Sequence, residues 1–193
     1  MNKISKSAIV LSSLLALTSH NINAAEENAG IIHFTGEIIE PSCEIEGDSG
    51  TDSTIPLGTY TTSLFKAPGD ESDLVPFLIR LADCPVGSDG LTNVQLTFTG
   101  PTTLTDSTSL LDVSAIKTAG ATAATGVGIA VTPKLENTRY LTFDGAEGQV
   151  YVELPSVVGN DVKAEFNARY KSFSSTVTAG PADADMTVNI VYR

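Results

Sequence analysis

The chain has 193 residues, with 23 acidic against 11 basic side chains, no Trp and only two cysteines. So acidic a surface is a poor partner for nucleic acid or anionic membrane. Two histidines and no CxxC pair leave little material for a metal centre or a catalytic thiol.

The first 24 residues combine Lys3 and Lys6, the apolar run "AIVLSSLLAL" and a small residue at Ala24. That pattern predicts a secretory signal peptide, residues 1–24, cut before Ala25. The run is too short to span a bilayer. The mature chain then has 169 residues (193 less 24), enough for one packed domain. It carries 9 basic against 23 acidic residues, a charge read here as solubility. In an exported chain, the pair Cys43 and Cys84 reads as a disulfide.

"GIIHFTGEIIEPSC", Gly30–Cys43, follows directly and reads mostly as strand. Its alternation sets Asn28, Gly30, Ile32 and Phe34 on one face and Ala29, Ile31, His33 and Thr35 on the other. "GIIHFTG" contains no Pro or Lys, residues that blunt a free edge. "VPFLIRL" aligns Val75, Phe77, Ile79 and Leu81, and "NVQLTFTG" aligns Val94, Leu96 and Phe98. "LLDVSAIKTAGATAA" has room for a short helical turn. "GVGIAVTP" alternates Val127, Ile129 and Val131. "KAEFNARY" alternates Ala164, Phe166, Ala168 and Tyr170. "DMTVNIVYR" closes the chain with Met186, Val188, Ile190 and Tyr192 on one face. Turn-forming clusters, "EGDSGTDS", "APGDESD", "VGSDG" and "TAGPADAD", separate these segments. Period-two alternation in short, evenly spaced segments predicts an antiparallel β-sandwich with one wet face per strand.

Catalytic chemistry finds little support. His33, the one histidine of the mature chain, lies in the N-terminal arm, a poor base for a Ser–His–Asp site. "GVG" sits in a strand with no following helix and is no dinucleotide fingerprint. Glu46, Asp48 and Asp52 are oxygen donors of the kind calcium takes, but read better as a solvated acidic turn.

Five stretches stand in order along the chain: "IHFTGEIIEPSC", "IPLG" (55–58), "PFLIRLADC" (76–84), "GVGIAV" (126–131) and the C-terminal "FNARYKS" with "VTAGPADADMTVNIVYR". Together they resemble the pilin subunits of chaperone–usher fimbriae, the type 1-like family. The penultimate Tyr192 is part of the match; the terminal Arg193 departs from the neutral residue common there. The resemblance implies an all-β, incomplete immunoglobulin-like sandwich lacking its last strand, completed by a donor strand from another subunit.

On that basis residues 25–35 are expected to be the donor-strand extension and residues 36–193 the pilin domain. Asn28, Gly30, Ile32 and Phe34 would enter a neighbour's groove, with Gly30 at a constriction. Met186, Val188, Ile190 and Tyr192 would line the acceptor side, with Phe166 and Tyr170 deeper in the core. The Cys43–Cys84 disulfide would clamp the first strand of the body to the next. The implied partners are a periplasmic chaperone, which holds the C-terminal carboxylate, an outer-membrane usher and neighbouring pilins joined head to tail. Export through the periplasm to a cell-surface fimbrium, a role in adhesion, no enzyme activity, no cofactor and no nucleic-acid partner complete the expectation. The competing reading is a self-contained, secreted carbohydrate-binding β-sandwich. One domain's length and the presence of the arm argue against it.

Overall fold

The computed structural model describes residues 30–36, 38–40, 42–118 and 120–193. The predicted signal peptide and Asn28 lie outside the described residues. The chain divides into Met1–Thr35 and a body, Gly36–Arg193. In the first unit, residues 30–35 belong to no strand, and Ile31, Ile32 and Phe34 are exposed. Gly30 has φ 155°, a backbone setting that favours glycine.

Among the described residues the body has eight strands in two antiparallel sheets. The strands are β1 (Glu44–Glu46), β2 (Val75–Ala82), β3 (Asn93–Thr99) and β4 (Leu111–Asp112), followed by β5 (Val127–Pro133), β6 (Val150–Glu153), β7 (Val162–Ser172) and β8 (Thr187–Tyr192). One sheet has the order β1-β2-β7-β5-β4 and the other β6-β3-β8. Their inner faces pack Leu81, Val94, Leu96, Phe98, Leu141 and Phe166, each 0–1% exposed. Phe166 is the pivot, stacked on Phe77 at 5.4 Å and edge-on to Phe98 at 5.8 Å.

The five strands expected from alternation after residue 74 form, with the predicted residues facing inward, whereas the described residues of Gly30–Cys43, read mostly as strand, lie in none. Two further expectations need correction. β3 and β5 have no wet face, since Gln95, Thr97 and Thr132 on their outer sides are buried. The cause is the segment 134–149, which folds back along both sheets. Leu141 N–H donates to the Val131 carbonyl, and Gly148 N–H donates to Gln95 Oε1 at 2.8 Å. The described residues of "LLDVSAIKTAGATAA" give β4 and turns rather than a helical turn; a 3-10 turn lies at Thr62–Leu64. The glycines of "GVGIAV" have a steric reason. A Cβ on Gly126 (φ 80°) would lie 2.3 Å from the Thr176 carbonyl oxygen, and one on Gly128 would lie 2.8 Å from that of Leu111.

The outer face of β7 is also covered over its second half, from Asn167 onward, while Lys163 and Glu165 are exposed. Arg169, 6% exposed, pairs with Glu71 at 3.0 Å and donates to the Asn137 carbonyl. Lys171 pairs with the same carboxylate at 2.6 Å, and the Tyr140 hydroxyl donates to it. Both cations stand over the Tyr140 ring. This cluster ties the β5–β6 connection to the sheet beneath it.

Candidate functional site: an open groove between two sheet edges

β8 pairs with β3 along its whole length, Val94 opposite Tyr192 and Thr99 opposite Thr187. No described strand pairs with its other side. β1 likewise ends its own sheet, paired only with β2. The two open edges meet on one side of the sandwich. At the upper end Cys43 N–H donates to the Tyr192 hydroxyl oxygen at 2.8 Å. At the lower end the stretches 58–62 and 177–183 face each other across a cavity of about 350 Å³.

One lip of this groove is β8. Met186, Val188, Ile190 and Tyr192 point toward the core but are only half buried. The resemblance-based choice of these four therefore falls on residues the structure brings to one edge. The other lip is β1 and the extended segment after it. Ile45, Leu57 and Tyr60 are half buried against the core, while Pro56 and Gly58 between them are exposed. Phe77, which faces inward from β2, is also only half buried. In a closed sandwich such inward-facing residues would be covered. Here the cover is missing along one line, between β8 and the segment that follows β1.

The backbone repeats the pattern. Residues 55–60 lie in no strand, and among the described residues no hydrogen bond from the main-chain N–H of Ile55, Leu57 or Gly58 is formed. Unpaired main-chain groups next to a half-covered apolar floor are what an added strand satisfies. Sequence reasoning missed Ile55, Leu57 and Tyr60 as the second lip. "IPLGTY" is broken by Pro56 and Gly58 and shows too little alternation to announce a strand.

The polar groups of the groove are few. Tyr170 closes the lower cavity, edge-on to Tyr60 at 6.0 Å, and its hydroxyl donates to the Ala182 carbonyl at 3.0 Å. Burial, with Asp183 and Tyr60 nearby, pushes the Tyr170 phenol up from its ordinary value. Burial also raises that of Tyr192, partly offset by the N–H of Cys43. These phenols stay neutral in ordinary buffers and act as apolar walls with one polar tip each. Phe166, 1% exposed, lies below them in the core, as expected, whereas Tyr170 is half buried at the cavity wall.

The disulfide joins Cys43 to Cys84, with Cα atoms 4.0 Å apart, and so fastens the start of β1 to the end of β2 as expected. Of the three turn carboxylates, Glu46 pairs with Arg80 at 3.3 Å and Asp48 accepts the Thr54 N–H at 3.3 Å. Arg193 has a partner too, Glu147 at 2.8 Å, in an exposed pair of small energetic weight. A second cavity of about 360 Å³ lies beside β4, where the buried Asp112 carboxylate accepts the N–H groups of Leu104 and Thr105 and so braces its own loop.

The model of the family described as "Fimbrial protein" matches residues 32–193. Among curated proteins, the chain is 37% identical over 182 residues to the type-1 fimbrial protein subunit of Serratia marcescens, covering 93% of this chain and 94% of that one. It is 32% identical over 193 residues to long polar fimbria protein A of Salmonella typhimurium, covering all of both chains. It is 34% identical over 171 residues to the fimbrial-like protein SfmA of Escherichia coli K12, with 88% of each covered. Among solved structures, the fold resembles the P pilus rod subunit PapA, at a TM-score of 0.57 and 23% identity over 79% of this chain and 99% of that one. It also resembles a subunit of a chaperone–usher pilus, at a TM-score of 0.55 and 22% identity over 88% and 98%. With the family matched from the arm to the last residue, around a sandwich open along one edge, the chain belongs to the fimbrial protein family: it is a pilin-type structural subunit.

Proposed function

We propose that residues 25–35 are the donor strand and that the groove between β8 and residues 45–60 is its acceptor in a neighbouring copy. The observation that carries this reading is the open edge of β8, with Met186, Val188, Ile190 and Tyr192 all half buried beside it. The arm supplies what the groove lacks. Ile32 is 79% and Phe34 92% exposed, and the alternation of the sequence sets them on one face with Gly30 once the arm is extended.

Every pairing in both sheets is antiparallel. A strand added to β8 in the same sense places Phe34 toward Met186 and the lower cavity, and Gly30 toward Ile190 and Tyr192. Insertion pairs the exposed main chain on both lips and covers several hundred Å² of apolar surface, on the order of 10 kcal/mol before ordering costs. One copy's arm in the next copy's groove is a head-to-tail contact that does not close, so it propagates as a fibre. The protein then works as a subunit of a surface fimbrium, exported through the periplasm. A chaperone occupies the same groove before assembly, and an usher serves as the assembly site. An adhesive role follows from membership of such a fibre.

Glycine at position 30 leaves room where the arm meets the narrow upper groove. A Gly30→Leu chain is expected to be captured by its chaperone and to polymerise far more slowly than the wild type in a time course read by SDS-resistant multimers. Polymerisation at the wild-type rate would remove the assignment of Gly30 to a constriction.

A further inference from the structure

We propose that the Val157–Val158 turn of one copy docks at the lower end of the copy that holds its arm, in the second cavity, beside β4. The inference rests on the donor-strand reading above. The ladders define two ends of the body. Ala82, Glu153, Val162 and Tyr192 share the upper end through their pairings, and Thr99, Val127, Ser172 and Thr187 share the lower one. An arm seated antiparallel to β8 leaves the groove at the lower end. Eight residues, 35–42, then lead from Phe34 to Cys43 at the upper end of its own body. Fully extended, that stretch spans about 30 Å. The upper end of one copy is thereby tethered close to the lower end of the next.

Both ends carry apolar side chains that the body leaves exposed. At the upper end Val157 and Val158 sit in the turn between β6 and β7, and Val158 is 82% exposed. Asn160 N–H donates to the Val157 carbonyl at 3.4 Å, so the chain reverses there with the valines at its tip. Turn tips favour Gly, Asn, Asp and Ser, so the turn itself does not call for two valines. Val86, also exposed, lies in the adjoining loop, which Gly87 N–H ties to the Pro155 carbonyl at 3.0 Å. At the lower end the second cavity has Val113, Val127 and Phe173 in its walls and Leu104, 72% exposed, at its rim. Asp112, the charged residue of its lining, is turned to the N–H groups of Leu104 and Thr105 and so is already satisfied. The first cavity lies at the end of the donor-strand groove, between residues 58–62 and 177–183. The second lies outside that path, and its volume of about 360 Å³ takes two valine side chains. Burying the valine turn against Leu104 gives adjacent bodies a second point of attachment beyond the strand and fixes the angle between them.

Fibres assembled from the full mature chain test this, with a photoreactive phenylalanine analogue in place of Val158 and mass spectrometry of the cross-linked peptides. The expected partner is the lower end of a neighbouring copy, in residues 101–113 or 173–176. Such a product cannot arise within one chain, because β7, 11 residues and on the order of 30 Å long, separates the two ends. Leu104→Asp, a change at an exposed position, should remove most of that product while SDS-resistant multimers stay at the wild-type level. Where the analogue at 158 hinders assembly, the same analogue at position 104 reads the contact from the other side, with residues 155–161 as the expected partner. Cross-links that fall on the flanks, at Leu135 or Tyr151, or no cross-link between copies, in fibres that do form SDS-resistant multimers, would overturn the docking and leave strand exchange intact. So would an unchanged yield in Leu104→Asp. Wild-type chains that form no SDS-resistant multimers would overturn both, by removing strand exchange itself.

Discussion

Removing the disulfide is the perturbation whose size follows most directly from the structure. Cys43 and Cys84 close a loop with a sequence separation of 41. Loop-closure entropy for that length corresponds to about 4 kcal/mol at 25 °C. Little else is lost, because replacing both cysteines with Ala leaves no unpaired polar atom, and only Cys84 is deeply buried. The double variant Cys43→Ala/Cys84→Ala is therefore expected to be less stable by about 3–4 kcal/mol, or about 6–16 °C in Tm for a domain of this size. The assay is urea unfolding of the variant and wild type, each complemented by the same concentration of a peptide of residues 25–35, since a bound strand adds stability by mass action. The m-value should stay close to that of the wild type, because the native surface is the same, with any increase reflecting a less constrained unfolded chain. The bridge also fixes β1, one lip of the groove, so the variant should bind the peptide more weakly. A loss below about 1 kcal/mol, with unchanged peptide affinity, would refute the view that this bridge constrains both the unfolded chain and the groove.

Phe166→Ala should cost about 3–5 kcal/mol, since the ring is 1% exposed and contacts both Phe77 and Phe98; equilibrium unfolding reads it directly. Glu71 controls an acid-sensitive contribution. Burial alone would raise its pKa, but hydrogen bonds from Lys171 and Tyr140 and the charges of Arg169 and Lys171 outweigh burial and hold it below the ordinary 4.5. A depressed carboxylate pKa stabilises the fold above the unfolded value, and that stability is lost as pH falls through the folded value. Stability measured against pH should thus drop below about pH 4.5 in the wild type, and Glu71→Gln should flatten that limb. The same variant leaves Arg169 buried without its carboxylate, so at pH 7 it should lose stability toward the lower end of about 3–5 kcal/mol.

The strands that were legible in the sequence are those long enough to alternate: β2, β3, β5, β7 and β8, with 6–11 residues each. β1, β4 and β6 have two to four residues, too few for a period to show. Their existence depends on partners far away in the chain. The disulfide was legible from compartment and count, and the shared inward face of Met186, Val188, Ile190 and Tyr192 from alternation. The second lip was not, because Leu57 and Tyr60 lie in a segment that Pro56 and Gly58 interrupt, where no strand period shows. The Glu71 cluster was also hidden, since it joins Glu71 to Tyr140 and Lys171, 69 and 100 positions away. Buried polar positions on the outer faces of β3 and β5 were misread for one reason: alternation reports an exposed face only when no later segment covers it.

The central claim is that the groove accepts an added strand. The most direct measurement uses residues 36–193, held folded by co-expression with the cognate chaperone, mixed with a synthetic peptide of residues 25–35. The account predicts chaperone release, a large and slow rise in Tm, and a complex that survives SDS. A body that is stable alone and indifferent to the peptide would show a closed sheet and contradict the account.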